Sequence, residues 1–447
     1  MKYISIILGK FAIFIGKKFN RGSSLPGKIA LKINKNIMKH FKLPGKIIAV
    51  TGSNGKGSCS KMIAEIFRRD GYSVAHNISG SNTHFGIISL LLENCTLSGK
   101  ITSDVIVYEI DERYTQKVFP YIKPNTVVVT VITRDQPPRQ GNHDIITDII
   151  KNSLTKDMDI ILNADDPYLQ KLDLENNFKK TYYSIEKNEY SFKENIFSNL
   201  NIKYCPYCNK KLEFEYFNCE NIGSYNCPSK DFSNPKSEYI ITNLNYKKKE
   251  ITINNKYKMN VPYDMIYMIY NVLAAFTTTA KMGIKPKTIV DVLNKISKEQ
   301  SSYNYNQYGF NKRKVYALSN KNENNSSFNH SLLYTKRNHN IKTIIISWKE
   351  ISRRYKFNDL SWLYDVEFEI LKDQKIDKII CCGINRFDIA TRLKYAGISE
   401  NKIIIFNPLN EAVNYIKEHT KGDIYAILNF DHIKPFNNYM KGEIKWK

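Results

Sequence analysis

Short apolar runs separated by helix-length segments govern the first half of the chain. Ile47–Val50, Val105–Ile110, Thr126–Ile132 and Asp159–Asn163 each read as a buried strand, with Tyr72–Ala75 a further short one. From Lys46 to Ser184 this spacing predicts a parallel sheet with helices on its faces. Asn188 to about Asn260 differs: it is rich in Tyr and Lys, holds four cysteines and contains alternating runs such as Glu250-Ile-Thr-Ile253. It predicts a small β insertion. Tyr263–Lys281 returns to a helical pattern. Asn304–His339 is thick with Asn, Lys and Ser and predicts loops, and Thr343–Ile346, Lys378–Cys381 and Lys402–Ile405 predict the strands of a second, smaller α/β domain. The expected division is an amphipathic and linker segment over 1–45, a central α/β domain over 46–300 with its insertion at about 200–235, and a C-terminal α/β domain over 301–447.

The first strand runs into Thr51-Gly-Ser-Asn-Gly-Lys-Gly-Ser58. Gly52, Gly55 and Gly57 allow backbone N–H groups to approach an anion, with Asn54 between them. Lys56 can meet the outer phosphates and Ser58 a magnesium ion. The helix expected from about Cys59 to Arg69 directs its positive end to the same place. ATP and Mg²⁺ are therefore the expected cofactors. The loop is shorter than a strict Walker A loop, and the bland alternative is a surface turn. In its short form it resembles the ATP loop of the Mur ligase and folylpolyglutamate synthase superfamily, whose members phosphorylate a carboxylate before an amine attacks.

Glu109 ends the strand Val105-Ile-Val-Tyr-Glu-Ile-Asp-Glu112, where an open parallel sheet places its ligand crevice. Glu109 and Asp111 alternate onto one side, and Glu109 is the candidate Mg²⁺ ligand; a solubilising acidic edge is the other reading. Leu162-Asn-Ala-Asp-Asp-Pro167 also follows a strand. Asn163 and Asp165 can bond a nucleotide's base or ribose, or Asp166-Pro167 can start a helix. The polar loop His76–His84 is placed to meet substrate, its histidines reading more readily as surface.

Composition changes the picture in two respects. With 67 Lys+Arg against 43 Asp+Glu, the 447-residue chain carries +24, which points to an anionic partner. The surplus is scattered and no nucleic-acid module accompanies it, so nucleic acid is not expected. Met1–Lys18 is apolar but broken by Lys10 and too short to span a bilayer. It predicts an amphipathic helix that either touches an anionic membrane surface or packs on its own domain. A cytoplasmic protein is expected, at the inner face of the membrane if the first of these readings holds. Eight cysteines in so long a chain do not suggest a disulfide scaffold.

Several stretches together resemble the MurT family, the Mur-ligase-like subunits of lipid II isoglutaminyl synthase. They are Arg21-Gly-Ser-Ser-Leu-Pro-Gly-Lys-Ile-Ala30, Glu109-Ile-Asp-Glu112, Arg134-Asp-Gln136, Asn163-Ala-Asp-Asp-Pro167, Tyr270-Asn-Val-Leu-Ala-Ala275 and Arg392-Leu-Lys-Tyr-Ala-Gly397, in family order. The resemblance implies a Mur-ligase-like ATPase that activates the D-glutamate α-carboxylate of lipid II as an acyl phosphate. Ammonia from a GatD-like glutamine amidotransferase, bound as a heterodimer partner, then gives D-isoglutamine. The alternatives are a stand-alone folylpolyglutamate-type amino acid ligase, which the Gly-Lys-Gly-Ser loop favours, and an inactive scaffold. Two departures favour the scaffold: Tyr308-Gly-Phe-Asn-Lys-Arg313 lacks the family's glutamate, and Lys321-Asn-Glu-Asn-Asn-Ser-Ser-Phe-Asn329 lacks its Pro and Gly.

Asp359-Leu-Ser-Trp-Leu-Tyr-Asp365 resembles the family's partner-facing segment, in which an aspartate completes the glutaminase's Cys–His pair. The match assigns that role to Asp359, with Asp365 as the fallback and Trp362 and Tyr364 as buried contact residues of that interface; the bland reading of Asp359 is a helix cap. Cys205-Pro-Tyr-Cys208 is half of a zinc knuckle. The family's second Cys-x-x-Cys is here Cys227-Pro-Ser-Lys230, so Cys219 is the expected fourth Zn²⁺ ligand beside Cys205, Cys208 and Cys227; a three-cysteine site or a lost metal are the other outcomes.

Overall fold

A computed structural model describes residues 1–18, 24–78, 81–134, 142–173, 177–197, 202–263, 265–299, 305–320, 324–348, 359–372 and 374–442. The chain forms two compact units, one of residues 1–133, 143–194 and 201–299, the other of 134–142, 195–200 and 300–447.

The first unit is built on a nine-stranded sheet. Its first six strands are β1 (Lys46–Thr51), β2 (Val74–His76), β3 (Val105–Glu109), β4 (Thr126–Val129), β5 (Asp159–Asn163) and β6 (Lys179–Ile185). A separate hairpin follows, β7 (Glu213–Cys219) and β8 (Ile222–Asn226), and then β9 (Tyr239–Asn245), β10 (Glu250–Ile253) and β11 (Tyr257–Asn260) complete the sheet in the order β11-β10-β9-β6-β5-β4-β1-β3-β2. The strands from β2 to β9 pair in parallel, while β10 and β11 add an antiparallel edge. β1 lies between β3 and β4, so strand order reverses there and a crevice opens beyond its carboxyl end.

The near-continuous apolar runs follow from burial on both faces. Ile47 and Ala49 share a core with Ile87, Leu91 and Ile146, while Ile48 and Val50 pack with Ile63, Phe67 and Leu273. The helices of the unit are α1 (Lys2–Lys18), α2 (Leu25–Ile33), α3 (Lys56–Arg69), α4 (His84–Glu93), α5 (Thr115–Val118), α6 (His143–Lys151), α7 (Ile266–Lys281) and α8 (Pro286–Glu299). None of the helices among the described residues is long and apolar enough to cross a membrane.

The second unit holds β12 (Tyr305–Phe310), β13 (Arg313–Asn320), β14 (Lys342–Trp348), β15 (Ile376–Gly383), β16 (Ile403–Phe406) and β17 (Asp423–Asn429), ordered β12-β13-β17-β14-β15-β16 and parallel apart from the β12–β13 hairpin. The expectation of loops over 304–339 is therefore corrected. Asn311 and Lys312 take positive φ, 45° and 65°, and form the turn of that hairpin. Asn324 accepts from Ser327 N at 2.8 Å and caps the helix Asn325–Lys336. Polar composition concealed a turn and a cap, the two places where Asn is structurally favoured.

Candidate active site

β1 delivers its last residue, Thr51, straight into the glycine loop. Gly52 has φ +123°, and a Cβ there would stand 2.4 Å from Thr130 Oγ1 and 2.8 Å from Val131 O. Gly55 has φ +83°, and a Cβ there would meet Asn271 Oδ1 at 2.3 Å. Only glycine fits either place. Ser53 braces the loop, its Oγ donating to Thr133 O at 3.0 Å and accepting from Thr133 N at 2.9 Å. α3 begins at Lys56, three residues before the expected start, so Lys56, Gly57 and Ser58 form its first turn. The first-turn N–H groups and the positive end of the helix dipole therefore lie directly after the glycine loop.

Lys56 is only 7% exposed. Its Nζ donates to Gly52 O, to Ser53 O at 3.4 Å and to Glu112 Oε1 at 3.0 Å. Glu112, the last residue of Glu109-Ile-Asp-Glu112, is itself 4% exposed, making this a buried ion pair. Glu109 Oε1 accepts from Asn82 Nδ2 at 3.0 Å, while Oε2 lies 3.0 Å from where a Cβ on Gly57 would sit. Asn77 holds the Glu109 backbone through both its amide atoms. A carboxylate fixed above a helix start with a lysine beside it is suited to a phosphate and its divalent cation. Asp111 points elsewhere: it caps the turn at Arg113 N and pairs with the Arg113 guanidinium at 2.7 Å. Ser58 is half-buried, and its hydroxyl has no partner among the described residues.

Asn163 and Asp165 are used internally. Asn163 Oδ1 accepts from Asp165 N at 3.0 Å. Asp165 Oδ2 accepts from Ile185 N at 2.7 Å and from Tyr270 Oη at 2.8 Å, and Oδ1 receives Asn234 Nδ2 at 3.4 Å. Burial raises its carboxyl to about 7 in spite of these donors. This pattern ties β5, β6, the insertion and α7 together. Of the two histidines that bound the 76–84 stretch, His76 contacts Ser60 Oγ at 3.1 Å and is held down to about 4 by burial, while His84 stacks on Tyr114.

In the second unit Asp359 Oδ1 accepts from Ser361 N at 2.9 Å, opening the short helical turn Ser361–Asp365. Its carboxyl stays half-buried and is held below the usual carboxylate range by the Ser361 hydrogen bonds. Asp365 pairs with Arg134 Nη1 at 2.7 Å, and Arg134 Nη2 donates to Ser361 Oγ at 2.8 Å. Trp362 is buried against Phe328 and Trp348, whereas Tyr364 is 61% exposed in this chain. Asp135 and Gln136, like Arg21 to Ser23 and Lys321 to Glu323, lie outside the described residues.

The insertion gathers Cys205, Cys208, Cys227 and Asp231, with all ligand atoms within 4.8 Å of one another. Cys208 Sγ and Cys227 Sγ are 3.3 Å apart, and Cys205 Sγ lies 3.2 Å from Asp231 Oδ1. Backbone N–H groups of Tyr207 and Ser229 point at Cys205 and Cys227 sulfur, each at 3.4 Å. Three thiols and a carboxylate braced in this way match a tetrahedral zinc donor set. Cys219 does not join it: fully buried in β7, it packs with Ile185, Ile222 and Tyr270 in a different core. A carboxylate, Asp231, four residues after Cys227, stands where a fourth thiol was expected.

Two family models match the chain, "Mur ligase middle domain" over residues 50–227 and "MurT ligase C-terminal" over residues 322–432. The "Lipid II isoglutaminyl synthase (glutamine-hydrolyzing) subunit MurT" of Staphylococcus aureus (strain COL) is 29% identical over 391 residues, covering 87% of this chain and 85% of that protein. The subunit of the same name from Streptococcus pneumoniae (strain ATCC BAA-255 / R6) is 25% identical over 452 aligned positions, 98% and 96% of the two chains. Among solved structures, a pseudomurein peptide ligase type C from Methanothermus fervidus superposes with TM-score 0.67 at 19% identity, covering 92% of this chain and 81% of that one. MurF from Acinetobacter baumannii gives 0.59 at 14%, covering 89% and 76%. These structures share the fold.

Proposed function

The chain is a MurT-type member of the Mur ligase superfamily of ATP-dependent ligases, and on that footing we propose that it amidates the D-glutamate α-carboxylate of lipid II. The carboxylate oxygen attacks the γ-phosphorus of ATP, ADP leaves, and an acyl phosphate forms. Ammonia from a GatD-like glutaminase attacks the acyl carbon, phosphate leaves, and D-isoglutamine remains. What carries this reading is the conjunction of Lys56 and Glu109 over the start of α3 with a second unit that matches the MurT C-terminal model.

In this reaction Lys56 faces the charge that develops on the transferred phosphoryl group. Its ion pair with Glu112 keeps the ammonium in the crevice until phosphate oxygens compete for it. Ser58 and Glu109 are the proposed Mg²⁺ ligands; the ion would neutralise the phosphate oxygens. Asp359 is proposed to stand behind the partner's catalytic histidine, holding its tautomer. The test is a reconstituted pair with lipid II, ATP, Mg²⁺ and glutamine, reading glutamate release and product mass together. Amidation at physiological glutamine without the partner would favour the stand-alone ligase. Glutamine hydrolysis without any amidation would favour the scaffold.

Zn²⁺ is proposed at Cys205, Cys208, Cys227 and Asp231, where it would clip the insertion into shape. Elemental analysis of chelator-free protein is expected to give about one zinc per chain. Cys227→Ser should remove it, Asp231→Ala should weaken it, and Cys219→Ser should leave it in place. Zinc-free wild type would defeat the site, and loss of zinc with Cys219→Ser alone would restore the thiol as the fourth ligand.

A further inference from the structure

Helix α1 is apolar on both of its faces, and only one of them is covered. Ile6 is fully buried, Ser5 and Gly9 join it, and a Cβ on Gly9 would come within 2.7 Å of the Leu92 side chain on α4. Glycine here lets the two helices approach closely, so α1 is seated on the unit. The opposite face carries Ile4, Ile7, Leu8, Phe11, Phe14 and Ile15, between 41% and 69% exposed. At a rise of about 1.5 Å per residue, the stretch from Ile4 to Ile15 presents this face over roughly 17 Å. A surface helix ordinarily turns charge outward. This one turns out isoleucine and phenylalanine.

The charge surrounding that face narrows the choice of what covers it. Residues 1–45 contain nine lysines and one arginine and no aspartate or glutamate. Lys10, Lys17 and Lys18 lie on α1 itself, and Lys28, Lys32, Lys39 and Lys42 follow close behind in sequence. Lys17 is tied to Glu93 of α4 at 2.6 Å, and the remaining lysines leave the apolar strip framed by a surplus of positive charge, which complements a surface that is anionic outside and apolar a few ångströms below. We propose that the outer face of α1 docks on an anionic lipid bilayer, lying in the plane of the headgroups while its inner face stays on α4. This inference stands on the helix alone and does not depend on the reaction proposed above.

The experiment is co-sedimentation of the full chain with vesicles of phosphatidylglycerol and phosphatidylcholine, beside vesicles of phosphatidylcholine alone. Binding to the anionic vesicles is expected. It should fall at least ~10-fold with Phe11→Ser/Phe14→Ser, since two exposed aromatic side chains would no longer insert. Lys10→Glu/Lys18→Glu, or about 1 M salt, where the screening length is about 3 Å, should weaken it further. ATP affinity serves as the fold control, because none of these side chains touches the glycine loop. Equal sedimentation of wild type and the Phe11→Ser/Phe14→Ser variant overturns the proposal, as does a folded wild type that ignores anionic vesicles. A dimer that the same double variant converts to monomer, or loss of vesicle binding when the glutaminase is added, would instead assign the face to a protein partner.

Discussion

Lys56→Ala should abolish measurable ATP-dependent amidation by the reconstituted pair. Removing one pre-organised cationic donor from a site of phosphoryl transfer lowers turnover on the order of 10²–10³-fold. A second effect runs through the apo protein. Lys56 and Glu112 are buried together, so alanine at 56 strands the Glu112 carboxylate in a site it cannot leave. Breaking one side of a buried pair costs about 3–5 kcal/mol, and the single variant should unfold at lower denaturant. Combining it with Glu112→Gln separates the two effects, since a neutral amide no longer needs the ammonium. The double variant should recover most of the lost stability and none of the turnover. Denaturant midpoints and single-turnover ADP release on the four proteins of the cycle supply the measurement. Appreciable ATP-dependent turnover in the stable double variant would remove Lys56 from the mechanism.

The architecture was legible wherever burial imposed a pattern. Fully covered parallel strands must be apolar at every position, so β1, β3, β4 and β5 stood out as runs, and glycines that only glycine can occupy marked the loop between β1 and α3. Polar residues whose partners are distant in sequence carry no such pattern. Glu112 looks like any acid after a strand until the fold brings Lys56, 56 positions earlier, within 3.0 Å. Asp165 reads as a ligand-facing carboxylate at a strand end, yet its donors come from Ile185, Asn234 and Tyr270. Asp231 has a local signal, following Cys227 across a tight turn, but a carboxylate does not stand out beside a cysteine such as Cys219 in a pattern of thiols. The Asn311-Lys312 turn lacks the Asn-Gly or Asp-Gly pair that marks a tight hairpin in sequence, so the surrounding polar composition hides it.

Asp359→Asn should depress glutamine hydrolysis by the pair while ATP binding to this chain is unchanged. In the proposed arrangement the carboxylate fixes the partner histidine's tautomer and supports the charge it gains, and an isosteric amide can do neither. Losses on the order of 10²–10⁴-fold in kcat are expected for such a change. The local geometry makes the substitution a clean one. Asn can keep the turn by accepting from Ser361 N through its side-chain oxygen, as Asp359 does now at 2.9 Å. Asp365→Asn is the necessary comparison, and its expected effect differs in kind. Asp365 anchors Arg134, which in turn holds Ser361 Oγ, so weakening that pair should loosen the 361–365 turn and lower thermal stability of the second unit. If Asp359 is the partner-facing group, hydrolysis in the Asp365→Asn pair should return when partner concentration is raised, since affinity and not chemistry was damaged. The Asp359→Asn pair should stay slow at saturation. Normal hydrolysis in both variants would end the assignment of this segment to the glutaminase. A kcat defect confined to Asp365→Asn would move the role six residues along and make the Arg134 contact a resting state that the partner displaces.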